Sequence, residues 1–202
     1  MTRDRRVQVG GWAALLAAIV SPIQIAALFF AATAGDPAAS RPYVLAETLR
    51  MGALFVAVAG LDGLFRRHDP GLAARIRVLG LLGAGVSVAL DAALLSGLVP
   101  TPLDLLALPA SVLVGLWFIG AGLVLLGAGD AFPRIGWTAL AGGASAILAA
   151  IGVVLPLGGG DIGETGHSIR DYFVLLGVLA MVFLVRVWRY VVGGRLPGPG
   201  IL

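Results

Sequence analysis

Six stretches of almost uninterrupted apolar residues follow one another along the chain, at about 9–34, 43–65, 76–99, 102–127, 135–155 and 169–192. A helix rises ~1.5 Å per residue and the hydrocarbon core of a bilayer is ~30 Å thick, so about 20 such residues cross it. The pattern predicts an all-α, polytopic membrane protein: one transmembrane domain over 1–202, built as a six-transmembrane-helix bundle. The punctuation between stretches agrees. Gly35-Asp36-Pro37 separates the first two, and Pro156 with Gly158-Gly159-Gly160 stops the fifth. Thr101-Pro102-Leu103-Asp104 offers a capping hydroxyl, a proline at the first helical position and an acid three residues on, and Ser168 to Asp171 repeats that box. The first stretch follows Arg3, Arg5 and Arg6 and contains Ala32-Thr33-Ala34, the outline of a cleavable signal. Its apolar run is longer than the roughly 7 to 15 residues of a signal core, so it reads as an uncleaved first helix. Pro22 is expected to kink that helix and free the Ala18 carbonyl, with Ser21 and Gln24 beside the break.

The informative positions are those that break the apolar pattern. Asp91 lies deep in the third stretch, where an acid costs roughly 2.5 to 3.5 kcal/mol on insertion scales and therefore faces protein and keeps a partner. The second stretch supplies one. If the two run antiparallel, Arg50 is seven residues inside the end of its stretch and Asp91 eight inside its own. Both are then about 10 to 12 Å deep and the charges are expected to meet. Glu47, three residues from Arg50, shares its face and joins them, and Gln24 lies near the same depth. Gly80, Ala84 and Ser87 share the Asp91 face, which is expected to pack inward; Ser111 with Gly115 and Ala141 with Ser145 repeat the small-residue spacing. Asp62 is four residues before Arg66, the spacing of a helical salt bridge near the membrane surface.

Composition supports the membrane reading: 59% of residues are hydrophobic, 12% are charged, and the mean hydropathy is +0.99. The chain has no cysteine, which excludes cysteine-ligated iron–sulfur clusters, and no lysine, which excludes covalent retinal and covalent pyridoxal phosphate. All 14 basic residues are arginine, and all but Arg50 gather at the ends of the stretches. With the N-terminus inside, eleven fall on the inner side and only Arg41 and Arg170 on the outer. That bias predicts an inner (plasma) membrane protein with both termini cytoplasmic, and reads the basic balance as a topology signal instead of a nucleic-acid surface. Trp12, Trp137, Trp188 and Tyr190 fall near the inner interface, Tyr43 and Tyr172 near the outer. His68 and His167 fall on opposite sides, so a bis-His haem is excluded, and there is no phosphate-binding Gly-x-x-x-x-Gly-Lys loop.

Two runs carry a resemblance. Ala46-Glu47-Thr48-Leu49-Arg50-Met51-Gly52, and the stretch from Gly115-Leu116-Trp117-Phe118-Ile119-Gly120 through Gly127 to Phe132-Pro133-Arg134-Ile135-Gly136, resemble the bacterial membrane-protein family catalogued as domain of unknown function 4386. The resemblance covers most of the chain. It implies a six-helix integral membrane protein and carries no activity.

Three functions are compatible with these residues. The first is a non-enzymatic binding or accessory subunit that takes a protein partner, a second copy or a small apolar ligand among membrane lipids. Here the Glu47, Arg50, Asp91 cluster, with Gln24, is a binding site or a structural lock. The second is a small transporter or proton-coupled carrier, in which two carboxylates sharing one arginine leave a charge for a proton or cation. The third is a membrane-embedded metal-dependent hydrolase using Asp161, Glu164 and His167, whose oxygen and imidazole groups recur at three-residue intervals in a glycine-rich loop.

Overall fold

The computed structural model describes residues 5–34, 40–98, 104–129, 132–154 and 178–193. Six helices occur among them: α1 Arg5–Ala34, α2 Ser40–Phe65, α3 Pro70–Leu95, α4 Asp104–Gly127, α5 Pro133–Val154 and α6 Val178–Val191. No strand occurs among the described residues. Four of the helices contain segments long and apolar enough to cross a membrane: Arg5–Ala27, Arg41–Phe65, Pro70–Leu95 and Pro109–Gly127. Each helix packs on the next in sequence, and α6 packs back against α1, so the six close into a ring. Neighbours are antiparallel: Gly80 and Ile76 of α3 meet Trp117 and Gly120 of α4, and Gly115 and Gly122 of α4 meet Gly143 and Gly136 of α5. One end of the ring therefore gathers Arg5, the α2–α3 turn with Arg66 and Arg67, Arg134 and Arg189, and is called the arginine-rich end below.

The third helix differs most from the sequence expectation, starting six residues earlier and stopping four earlier. Asp69 sets the start. Its Oδ1 accepts the Leu72 backbone N–H at 2.9 Å, and Pro70, which has no N–H to lose, takes the first position. Capping thus outweighs the arginines that border the apolar run. At the far end the chain turns through Ser96 and Gly97, whose φ of 71° suits glycine. α1 runs through Pro22, and the Ser21 hydroxyl donates to the Ala17 carbonyl at 2.8 Å. Thr101, Pro102 and Leu103, and the Ser168 to Asp171 box with the first part of the expected sixth helix, lie outside the described residues.

Trp117 sits in the middle of the core, 1% exposed, with edge-on contacts to Phe65, Phe118 and Phe183 at centroid distances of 6.3, 4.9 and 6.3 Å. These rings come from α2, α4 and α6, so they tie three sides of the ring together. Gly80 makes their seat possible: a Cβ there would lie 2.7 Å from the Trp117 ring and 2.9 Å from Val58. Gly10 and Gly60 allow α1 and α2 to touch backbone to backbone, since a Cβ on Gly60 would reach 2.5 Å from the Gly10 Cα. Gly80, Ala84 and Ser87 are buried on α3, as their shared face predicts, with Gly83 beside them, while Asp91 of the same face is partly exposed. The opposite stripe, Val78, Leu82 and Val86, is apolar and exposed.

Candidate functional site

The polar residues of α2 and α3 gather at two levels. At the level farther from the arginine-rich end, Arg50 grips Glu47 with two nitrogens, Nε donating to Oε2 at 2.9 Å and Nη2 to Oε1 at 2.8 Å. The pair is i,i+3 on one helix, with side chains 24% and 14% exposed, so it is bidentate and largely shielded. Asp91 crosses from α3 to the same level, but its partner is Thr48, whose hydroxyl donates to Oδ2 at 3.3 Å. The same hydroxyl also donates to the Val44 carbonyl of its own helix at 2.8 Å. Among the described residues no cation lies within ion-pair distance of Asp91.

The expected Arg50–Asp91 contact is thus replaced by two separate pairs, and helix geometry gives the reason. Successive residues turn about 100° around the axis, so Arg50 lies roughly 160° around α2 from Thr48, with Glu47 between them. The surface of α2 that meets Asp91 is the Thr48 surface; Arg50 is turned away from it, near enough for its charge to be felt at Asp91 but not to pair with it. Depth does not separate them, because Arg50 is only two residues, ~3 Å, along α2 from the Thr48 that meets Asp91. Asp91 is partly exposed instead of sealed in the core.

Gln24 lies in α1, partly buried. From the Gly10–Gly60 contact it is fourteen residues along α1, level with Ala46 fourteen residues back along α2, so its depth matches Glu47. Its side chain makes no hydrogen bond among the described residues. Asp161, Glu164 and His167 lie outside the described residues. Thr48 is the residue that counting charges missed. The available signal was its place between Glu47 and Arg50, where a hydroxyl in an apolar helix must donate to something.

The second level is at the arginine-rich end. Asp62 of α2 meets Arg66 Nε at 2.8 Å, the pair its spacing predicts, and also Arg77 Nη1 of α3 at 3.3 Å, both through Oδ2. Oδ1 is enclosed and has no partner among the described residues. Arg77 was legible only once the start of α3 was known. With the helix beginning at Pro70, Arg77 is in its second turn, and its side chain leans back toward the start and toward Asp62. Nearby, His68 stacks edge-on with Phe132 at 5.5 Å, Phe132 with Tyr190 at 4.8 Å, and Arg186 Nη1 donates to the Arg134 carbonyl at 2.9 Å. Trp12 and Trp188 pair at 5.5 Å at the same end.

Compared with models of protein families, with curated proteins and with solved structures, the chain matches none.

Proposed function

We propose that this chain is a six-span integral membrane protein of the plasma membrane, with its arginine-rich end and both termini in the cytoplasm. It acts by binding instead of catalysis, and Asp91 is the group that takes up a proton or the cationic part of a small ligand. One observation carries this reading. Arg50 is committed to Glu47 by two hydrogen bonds, while Asp91 has a single long bond from a neutral hydroxyl. A carboxylate in a membrane helix with no cation against it is costly, and a proton or bound cation offsets that cost. Asp91 is partly exposed and four residues from the end of α3, within reach of a species at the end of the bundle. The six-helix plan that the resemblance to domain of unknown function 4386 implies is part of the same proposal, and it adds no activity.

Infrared difference spectroscopy of the protein in lipid vesicles, stepped between acid and alkaline pH, tests the reading. The band of a protonated carboxylic acid is expected to form and to be absent from Asp91→Asn. Identical bands in both proteins would overturn it. A proton-coupled carrier is the second reading, favoured by the surplus of two carboxylates over one arginine at this level. It predicts that vesicles holding a pH-sensitive dye acidify under an imposed potential, and that Asp91→Asn abolishes the flux while the protein still folds.

A further inference from the structure

The arginine-rich end contains a pair of guanidinium groups that the Asp91 site does not use. Arg66 closes α2 and Arg77 lies in the second turn of α3, and Asp62 draws both onto one oxygen atom. The two bonding nitrogens are therefore no farther apart than the two bond lengths together, about 6 Å. Two cations share one anion, so a net positive charge is fixed at this point. Neither side chain is sealed: 48% of Arg66 and 42% of Arg77 is exposed, against 12% of Asp62. Each guanidinium has five N–H donors and directs one nitrogen at Asp62, so most donors remain available outward.

Depth decides which anion arrives. α2 ends at Phe65 and Arg66 follows it directly, so the pair sits where an apolar span meets the headgroup layer. Arg77 is inside the apolar span Pro70–Leu95 by sequence, but its stem runs back toward the helix start, as long cationic side chains do at an interface. Because both guanidiniums converge on one carboxylate oxygen, a phosphate beside them can accept charge-assisted bonds from the remaining donors of both. Arginine is the suited residue, because its planar fork matches phosphate geometry and an ammonium does not.

We propose that Arg66 and Arg77, positioned by Asp62, form a binding site for the phosphate of an anionic phospholipid at the α2–α3 turn. This site needs only that α2 and α3 cross a bilayer and is independent of Asp91. The shared chemistry is a phosphate, and the commitment to a lipid source rests on the height of the pair.

The test uses the full chain in phosphatidylcholine nanodiscs with and without phosphatidylglycerol, with retained lipid counted by native mass spectrometry. Wild type is expected to keep phosphatidylglycerol in preference to phosphatidylcholine. The double variant Arg66→Lys, Arg77→Lys keeps the charge and removes both forks, and should weaken that retention roughly tenfold, whereas Arg67→Lys with Arg75→Lys should not. Asp62→Asn separates a positioned site from diffuse attraction. It raises the net charge, so diffuse attraction predicts more phosphatidylglycerol retained, while loss of positioning predicts less. Thermal melts in pure phosphatidylcholine confirm that each variant is folded. Unchanged retention in the Lys pair, or increased retention in Asp62→Asn, overturns the proposal. So does inorganic phosphate binding to the phosphatidylcholine sample without any lipid preference, which would assign the pair to a soluble anion.

Discussion

The same two helices carry both polar levels, yet the levels are built in opposite ways. Toward the arginine-rich end, an acid of α2 draws arginines from its own helix and from α3 onto one oxygen, and the surplus is positive. At the other level, an arginine of α2 is taken entirely by an acid of its own helix, and the acid of α3 is left with a hydroxyl, so the surplus is negative. Register produces the difference. Asp62 lies on the part of α2 that α3 covers, so Arg77 can reach it, while Arg50 is turned away from the Thr48 surface. Exposure then sets what each level can do. The half-exposed arginines of the first suit an external anion, and the shielded pair of the second leaves Asp91 as the group free to exchange a partner.

The comparison is broken most forcefully at Arg50. Replacing it with Met leaves Glu47, 14% exposed, without its cation in the same region as Asp91. Removing one member of a buried pair costs roughly 3–5 kcal/mol, and the 24% exposure of Arg50 places this variant at ~3 kcal/mol, the lower end. Reversible unfolding in mixed detergent is the measurement. The double variant Glu47→Gln, Arg50→Met is expected to recover most of the loss, because no unpaired charge remains from that pair. A single variant as stable as wild type would mean that water reaches the pair freely, and the contrast between the two levels would fail.

How far the sequence led differs in the same way between the levels. Asp62 and Arg66 are one turn apart on one helix, so their pairing needs no tertiary information, and it was legible. Arg77 was not, because its reach depends on where α3 starts, and Asp69 and Pro70 fix that start through a cap that counting apolar residues overlooks. Depth counting brought Glu47, Arg50 and Asp91 to one level, where the structure has two separate pairs, Glu47 with Arg50 and Thr48 with Asp91. It could not give azimuth. Whether Asp91 meets Arg50 or Thr48 depends on how α2 is rotated, and that is set by distant contacts such as the Gly10–Gly60 approach and the seat of Trp117 against Gly80. The ring order of the helices follows from short connections, but closure of α6 on α1 depends on side chains such as Trp12 and Trp188 that no local pattern pairs.

A smaller effect is expected where the partners are exposed. Asp62→Asn leaves two arginines that can turn toward water or headgroups, so the loss of folding stability should stay at or below about 1 kcal/mol. The ratio of this loss to that of Arg50→Met sharpens the comparison, because both variants remove one charge from α2. Equal losses would say that exposure does not separate the two levels.

The smallest effect belongs to the bond that joins the helices at Asp91. Thr48→Val removes the hydroxyl and keeps the shape, and its loss should be about 0.6 kcal/mol, typical of hydrogen bonds between membrane helices. The 3.3 Å length and the competing bond to the Val44 carbonyl argue against more. A double-mutant cycle with Asp91→Asn isolates the pair from any change in packing. A coupling near that value leaves Asp91 lightly held and able to take another partner. A coupling of several kcal/mol would make the Thr48–Asp91 bond a structural clasp between α2 and α3, and Asp91 would then be committed to the fold as firmly as Glu47 is to Arg50.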